Sequence, residues 1–121
     1  MHKWFSPAAV RLLRQEIEAA NNNEVLFTAI LEKDMLKDIE VLARGNSTMV
    51  PAAVHPQPGK CLLVIHNHPS GDLTPSGADI SVASRLSREG IGFAIIDNKV
   101  SESYVLVEPV QIQPTAAVPT K

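Results

Sequence analysis

The apolar residues Val10, Leu13, Ile17 and Ala20 recur at steps of three and four, with Arg11, Arg14, Glu16 and Glu18 between them. That period predicts a helix with one dry face and one wet face. Ser6-Pro7 supplies its start, the serine as cap and the proline at the first helical position, where a missing N–H costs nothing. Asn21, Asn22 and Asn23 end it, because asparagine tolerates the left-handed conformation of a helix exit. From Val25 to Leu31 the chain is almost wholly apolar, the pattern of a strand buried on both faces. A polar turn at Glu32 to Asp34 leads into an alternation of Ile39, Val41 and Ala43 with Asp38, Glu40 and Leu42, closed by Gly45-Asn46-Ser47. It predicts a strand with one drier face.

Three prolines between Thr48 and Pro58 leave room for a loop with at most a short helical turn. Cys61 to Ile65 forms a second short buried strand, and His66 to Pro75, with two prolines and a glycine, is expected to be the loop that leaves it. Ser76-Gly77-Ala78-Asp79 has the Ser-x-x-acid form of a helix start. Ile80, Ala83 (or Ser84) and Leu86 continue one face to a stop at Glu89-Gly90. Ile91 to Ile96 and Tyr104 to Val107 add two strands around an Asn98-Lys99 turn. Beyond them, residues 109–121 carry three prolines and no periodicity, which predicts a disordered Pro-rich tail behind a domain spanning residues 1–108.

Composition narrows the picture. A chain of 121 residues with 45% apolar content has room for one hydrophobic core. No apolar run follows Met1 to Phe5, and no stretch approaches the roughly 18 to 20 apolar residues of a membrane span, so a cytoplasmic protein without membrane contact is expected. The single cysteine, Cys61, cannot form an internal disulfide and sits in an apolar run as a small core residue. A metal here must therefore be held by histidine and carboxylate. The formal charge of -2, with lysine and arginine scattered along the chain, supplies no basic stripe and argues against strong nucleic-acid binding.

The chemistry lies in one constellation. His66 and His68 are two apart at the end of a strand, so both side chains point to one face. Eleven residues later, Asp79 falls in the first turn of the following helix, where the exposed N–H groups favour a carboxylate. Two neutral imidazoles and one carboxylate form a catalytic zinc set with a fourth position left for water. The metal acidifies that water and polarises a carbonyl beside it. Glu24, at the mouth of the first buried strand, is the candidate general base, with Glu32 and Glu40 as competitors. Ser76 is placed to hydrogen-bond the water or the developing oxyanion. Taken singly these residues have plainer readings: Ser76 with Asp79 as a helix cap, His55 beside Pro56 as a loop or supporting group, Asp72 and Asp97 as turn residues.

Glu24, His66-x-His68, seven residues, then Ser76-x-x-Asp79 resembles the metal-site signature of the JAMM metalloproteases, the active MPN+ form of the JAB1/MPN/Mov34 superfamily. The longer run from His66 to Ser76, with Val54-His55-Pro56 and Ile96-Asp97, is similar to the RadC-type bacterial JAB domain, and the match spans most of residues 24 to 107. The resemblance implies an α/β, single-domain mixed β-sheet flanked by helices, the JAB/MPN (cytidine-deaminase-like) fold. It implies one zinc (Zn2+) per chain on His66, His68 and Asp79. It also implies hydrolysis of peptide or isopeptide bonds in a protein or peptide substrate, including ubiquitin-like conjugates, with Glu24 as general base. Two departures stand out. Asn98 replaces the histidine usual after the Asp in RadC-type domains, and these 121 residues do not include the helical module that usually precedes such a domain, so a DNA-repair role is less expected of them.

The rival from another class is a non-catalytic RadC-like module that binds partners in DNA repair or within a larger fusion; retention of all three ligands and a base counts against it. A zinc deaminase would need a Pro-Cys-x-x-Cys that one cysteine cannot supply.

Overall fold

The computed structural model describes residues 2–45 and 54–111. Helix α1 (Pro7–Ala19) starts as its sequence dictates, with the Ser6 side chain accepting the Ala9 N–H and proline at the first position. Its exit turns left-handed at Asn21 (φ +59°) and Asn22 (φ +62°). The face it buries is Ala9, Leu13 and Ile17, while the expected Val10 and Ala20 are only partly covered.

Strands β1 (Val25–Glu32) and β2 (Met35–Arg44) form a hairpin around Lys33 and Asp34, both left-handed. Strand β3 (Leu62–His68) pairs antiparallel with β1. Helix α2 (Gly77–Arg88) then crosses over to β4 (Gly92–Asp97), which runs parallel to β3, and β5 (Ser103–Val107) returns antiparallel to β4. The result is one mixed five-stranded sheet in the order β2-β1-β3-β4-β5. A parallel β3-β4 pair demands a crossover of about a dozen residues, and α2 supplies it.

Alternation along the central strands divides the core. Phe27, Leu63, Ile65, Ala94 and Ile96 join Leu13 and Ile17 of α1 on one face. Leu26, Leu62, Val64 and Phe93 join Ala83 and Leu86 of α2 on the other. Strands β3 and β4 are covered on both sides, which explains their continuous apolar runs.

Several expectations are corrected. The chain does not leave β3 at His66: the strand continues to His68 because it keeps its pairing with β4 to the pair His68 and Asp97. On α2 the buried positions are Asp79, Ala83 and Leu86, while Ile80 is 52% exposed. The simple alternation in β2 fails at two register shifts. At one of them Asp38 adopts φ +52°, so Leu36 shares the α1 face with Ile39 and Val41 although it lies three residues away. At the other, Ala43 moves to the α2 face beside Leu42.

Pro109 to Gln111, assigned to the tail, lie against the domain: the Val110 N–H donates to the Gly90 carbonyl at 3.0 Å. A Cβ at Gly92 would stand 2.6 Å from Pro109 Cδ and 2.7 Å from Leu63 Cδ1, so only glycine admits this close approach. The expectations for Asn46 to Ala53 and for the tail from residue 112 onward fall outside the described residues.

Candidate metal centre

The site is built where β3 ends and α2 begins. His66 and His68 occupy the β3 face turned toward α2, with their ring centroids 5.0 Å apart and nearly perpendicular. Phe93 of β4 packs against the inner ring at 5.3 Å between centroids. A turn follows, in which the Gly71 N–H returns to the His68 carbonyl at 2.9 Å and Gly71 takes φ +86°. The next segment is shaped by Asp72, whose carboxylate accepts the Thr74 N–H at 3.0 Å. Helix α2 then opens with a reciprocal cap. The Ser76 hydroxyl oxygen accepts the Asp79 N–H at 3.1 Å, and Asp79 Oδ2 accepts the Ser76 N–H at 2.9 Å. The cap fixes the Asp79 carboxylate with both oxygens toward the histidines, Oδ1 at 3.0 Å from His66 Nε2 and Oδ2 at 3.0 Å from His68 Nε2. One donor atom from each residue lies within 4.8 Å of the others.

The hydrogen bonding shows what this cluster lacks. His68 Nδ1 lies 2.8 Å from the Asp72 carbonyl oxygen. A carbonyl only accepts, so Nδ1 carries a proton there, and on the other side of the ring Nε2 lies 3.0 Å from Asp79 Oδ2. His66 Nε2 is buried and, despite its 3.0 Å approach to Asp79, has no aligned hydrogen-bond partner. Burial pushes the His66 pKa down against the opposing charge of Asp79 and so favours the neutral ring. Burial works to raise the Asp79 pKa, yet the Ser76 hydrogen bonds and the adjacent imidazoles hold the carboxyl below its usual range. Two imidazole nitrogens and a carboxylate therefore converge in a largely buried place. That donor set suits a divalent cation with nitrogen and oxygen ligands, zinc among them.

Glu24 lies just before β1. The β1-β3 register ends with Leu26 opposite His66, and Glu24 lies two residues beyond that pair, at the end of the sheet where His68 stands. Glu24 Oε1 is buried without a partner. Burial raises its pKa, His68 lowers it and Asp79 raises it, so the carboxyl feels both ligands without belonging to their cluster. Ser76 is exposed at the rim. His55 is exposed, and Asp97 is the last residue of β4, whose carboxylate accepts the N–H groups of Ser101 and Glu102 across the following turn. The competing Glu32 pairs with Lys37 at the far end of β1.

Sequence reasoning missed Asn67. It is fully buried between the two histidines and its amide bonds the backbone around Glu24. A polar residue inside an apolar strand, pointing away from the histidine face, was the available signal.

Comparison with known proteins bears on the family and the fold. The model of the RadC-like JAB domain matches residues 5–102. A UPF0758 protein of Finegoldia magna is 32% identical over 92 residues, covering 66% of this chain and 40% of that protein. One from Alkaliphilus oremlandii is 32% identical over 96 residues, covering 72% and 41%. The chain thus spans about two-fifths of the length of these relatives. Among solved structures, a JAB1/MPN domain protein from Archaeoglobus fulgidus superposes with a TM-score of 0.55 at 18% identity, covering 87% of this chain and 92% of that one. The mixed sheet is therefore a JAB/MPN fold, and with the family model matched over most of its length the chain belongs to the RadC-like JAB domain family.

Proposed function

We propose that this domain is a zinc-dependent metallopeptidase or isopeptidase that acts on a protein or peptide substrate, ubiquitin-like conjugates included. The observation that carries the reading is the largely buried meeting of one ligand atom each from His66, His68 and Asp79 within 4.8 Å, a donor set of the kind that holds zinc. A divalent ion held there would acidify water and polarise a carbonyl.

The remaining work falls to the chain's own groups. Glu24, with its pKa raised by burial and one oxygen unpaired, is suited to take a proton from water and pass it to the leaving nitrogen. Ser76 accepts the Asp79 N–H through its oxygen, which leaves its own O–H free to donate to an oxygen that gains charge. The Asp72 carbonyl and the helix cap hold His68 and Asp79 in place before any ligand arrives.

Elemental analysis followed by a cleavage screen over peptide, isopeptide and thiocarboxylate-protein fusions tests the proposal, with chelated protein as control. About one zinc per chain is expected, with turnover that chelation removes. Glu24→Gln should keep the zinc and lose turnover by roughly a hundred-fold or more, since general-base catalysis is worth that much. Full activity in that variant would assign the base elsewhere.

A further inference from the structure

Alternation along β3 gives the α2 face to His66 and His68 and turns Asn67 the opposite way. Its amide then meets the segment that carries Glu24. Asn67 Oδ1 accepts the Val25 N–H at 2.7 Å, and Asn67 Nδ2 donates to the Asn23 carbonyl at 3.2 Å. These groups belong to the two peptide units on either side of the Glu24 Cα. One side chain therefore holds both planes whose rotation defines φ and ψ of Glu24.

The same Nδ2 donates to Asn98 Oδ1 at 2.6 Å, and Asn98 Nδ2 donates to the Asn22 carbonyl at 2.9 Å. On the other side, the Gly45 N–H donates to the Glu24 carbonyl at 2.9 Å. The antiparallel ladder between β1 and β3 stops at the pair Leu26 and His66. Glu24 thus lies beyond the last regular pair, where the two asparagines replace the missing ladder.

We propose that Asn67 and Asn98 are positioning residues for Glu24, an amide clasp that fixes its backbone and so holds its carboxylate at the site. The inference rests on Glu24 as the base of the proposed hydrolysis. It assigns no contact with substrate to either asparagine. Their effect passes through Glu24 alone, and a misplacement of about 1 Å at a reacting group costs on the order of a hundred-fold in rate.

Asn98 is the residue to change, because it is only partly buried and its loss leaves Asn67 bonded to Asn23 and Val25. The test is a double-mutant cycle on the zinc-loaded chain with Asn98→Ala, Glu24→Gln and the combination. Asn98→Ala is expected to lower kcat by about ten-fold or more, to leave KM within about two-fold, and to keep the zinc content of the wild type. In the Glu24→Gln background the same change should have no further effect on kcat. In parallel, amide hydrogen exchange at Val25 should speed up by about ten-fold or more while the β4 amides keep their protection.

Unchanged kcat in Asn98→Ala, loss of zinc in step with kcat, or an equal loss in both backgrounds would each overturn the proposal. If the wild-type chain cleaves nothing in the screen, the proposed function fails by itself and the clasp is judged by exchange, with unchanged protection at Val25 counting against it.

Discussion

At the scale of single residues, Asp79 has two jobs that chemistry can separate. Its Oδ2 accepts the Ser76 N–H to close the helix cap, and both oxygens face the imidazoles. Asp79→Asn leaves an amide oxygen able to accept from Ser76 but removes the anion, and a neutral amide is a poor zinc ligand. The variant should fold with α2 intact by circular dichroism and yet hold well under one zinc per chain by elemental analysis. Ser76→Ala is its converse. Loss of the capping oxygen should lower stability by about 1 kcal/mol, read from urea unfolding, while zinc stoichiometry stays at the wild-type level. Zinc retained by Asp79→Asn would remove the carboxylate from the ligand set.

At the scale of elements, what the sequence made legible follows from how local each determinant is. Ser6-Pro7 and Ser76-x-x-Asp79 specify helix starts through contacts within four residues, and both helices begin where these residues place them. The apolar runs in β1 and β3 were legible because burial on two faces needs no phase. The phase of β2 was not, since bulges opposite β1 reset it twice and a bulge is fixed by the partner strand. The end of β3 was misplaced for a similar reason, because Pro69 and Gly71 signal a turn while pairing with β4 decides where the strand stops. The grouping of His66, His68 and Asp79 was legible from their spacing; the Asn67 and Asn98 bridge was not, for its partners lie 31 to 76 residues apart.

The β4-β5 turn offers a pH test at this scale. The Asp97 carboxylate accepts the Ser101 and Glu102 N–H groups and the Ser101 hydroxyl. Burial opposes ionisation, but those bonds win and hold its pKa below the usual value. A folded-state pKa depressed in this way gives stability that is present above the unfolded value of about 3.9 and is lost as pH falls through the folded one. Asp97→Asn should therefore be less stable than the wild type at neutral pH. The gap should close below about pH 4, as urea unfolding at stepped pH would show. A gap that stayed constant through that range would assign the stabilisation to shape rather than charge.

At the scale of the whole molecule, the candidate metal site joins the two parts of the fold that are farthest from local control. The candidate ligands come from β3, at the centre of the sheet, and from the first turn of α2, the crossover that reaches its parallel neighbour. In the folded chain the three donor groups are neighbours, whereas in the unfolded chain they are spread over fourteen residues of flexible backbone. A cation that binds all three therefore favours the folded state by mass action, by about 2.7 kcal/mol at a free concentration one hundred times its Kd. Added zinc should raise the Tm in a concentration-dependent manner, and a chelator should return it to the metal-free value without unfolding the chain. The core around Phe27, Leu63 and Ile65 involves no metal ligand and is packed on the opposite face of the sheet. The shift should vanish in His68→Ala, which keeps both hydrophobic layers and loses one of three ligands. A Tm that rises equally with zinc in His68→Ala would place the stabilising ion somewhere other than between β3 and α2.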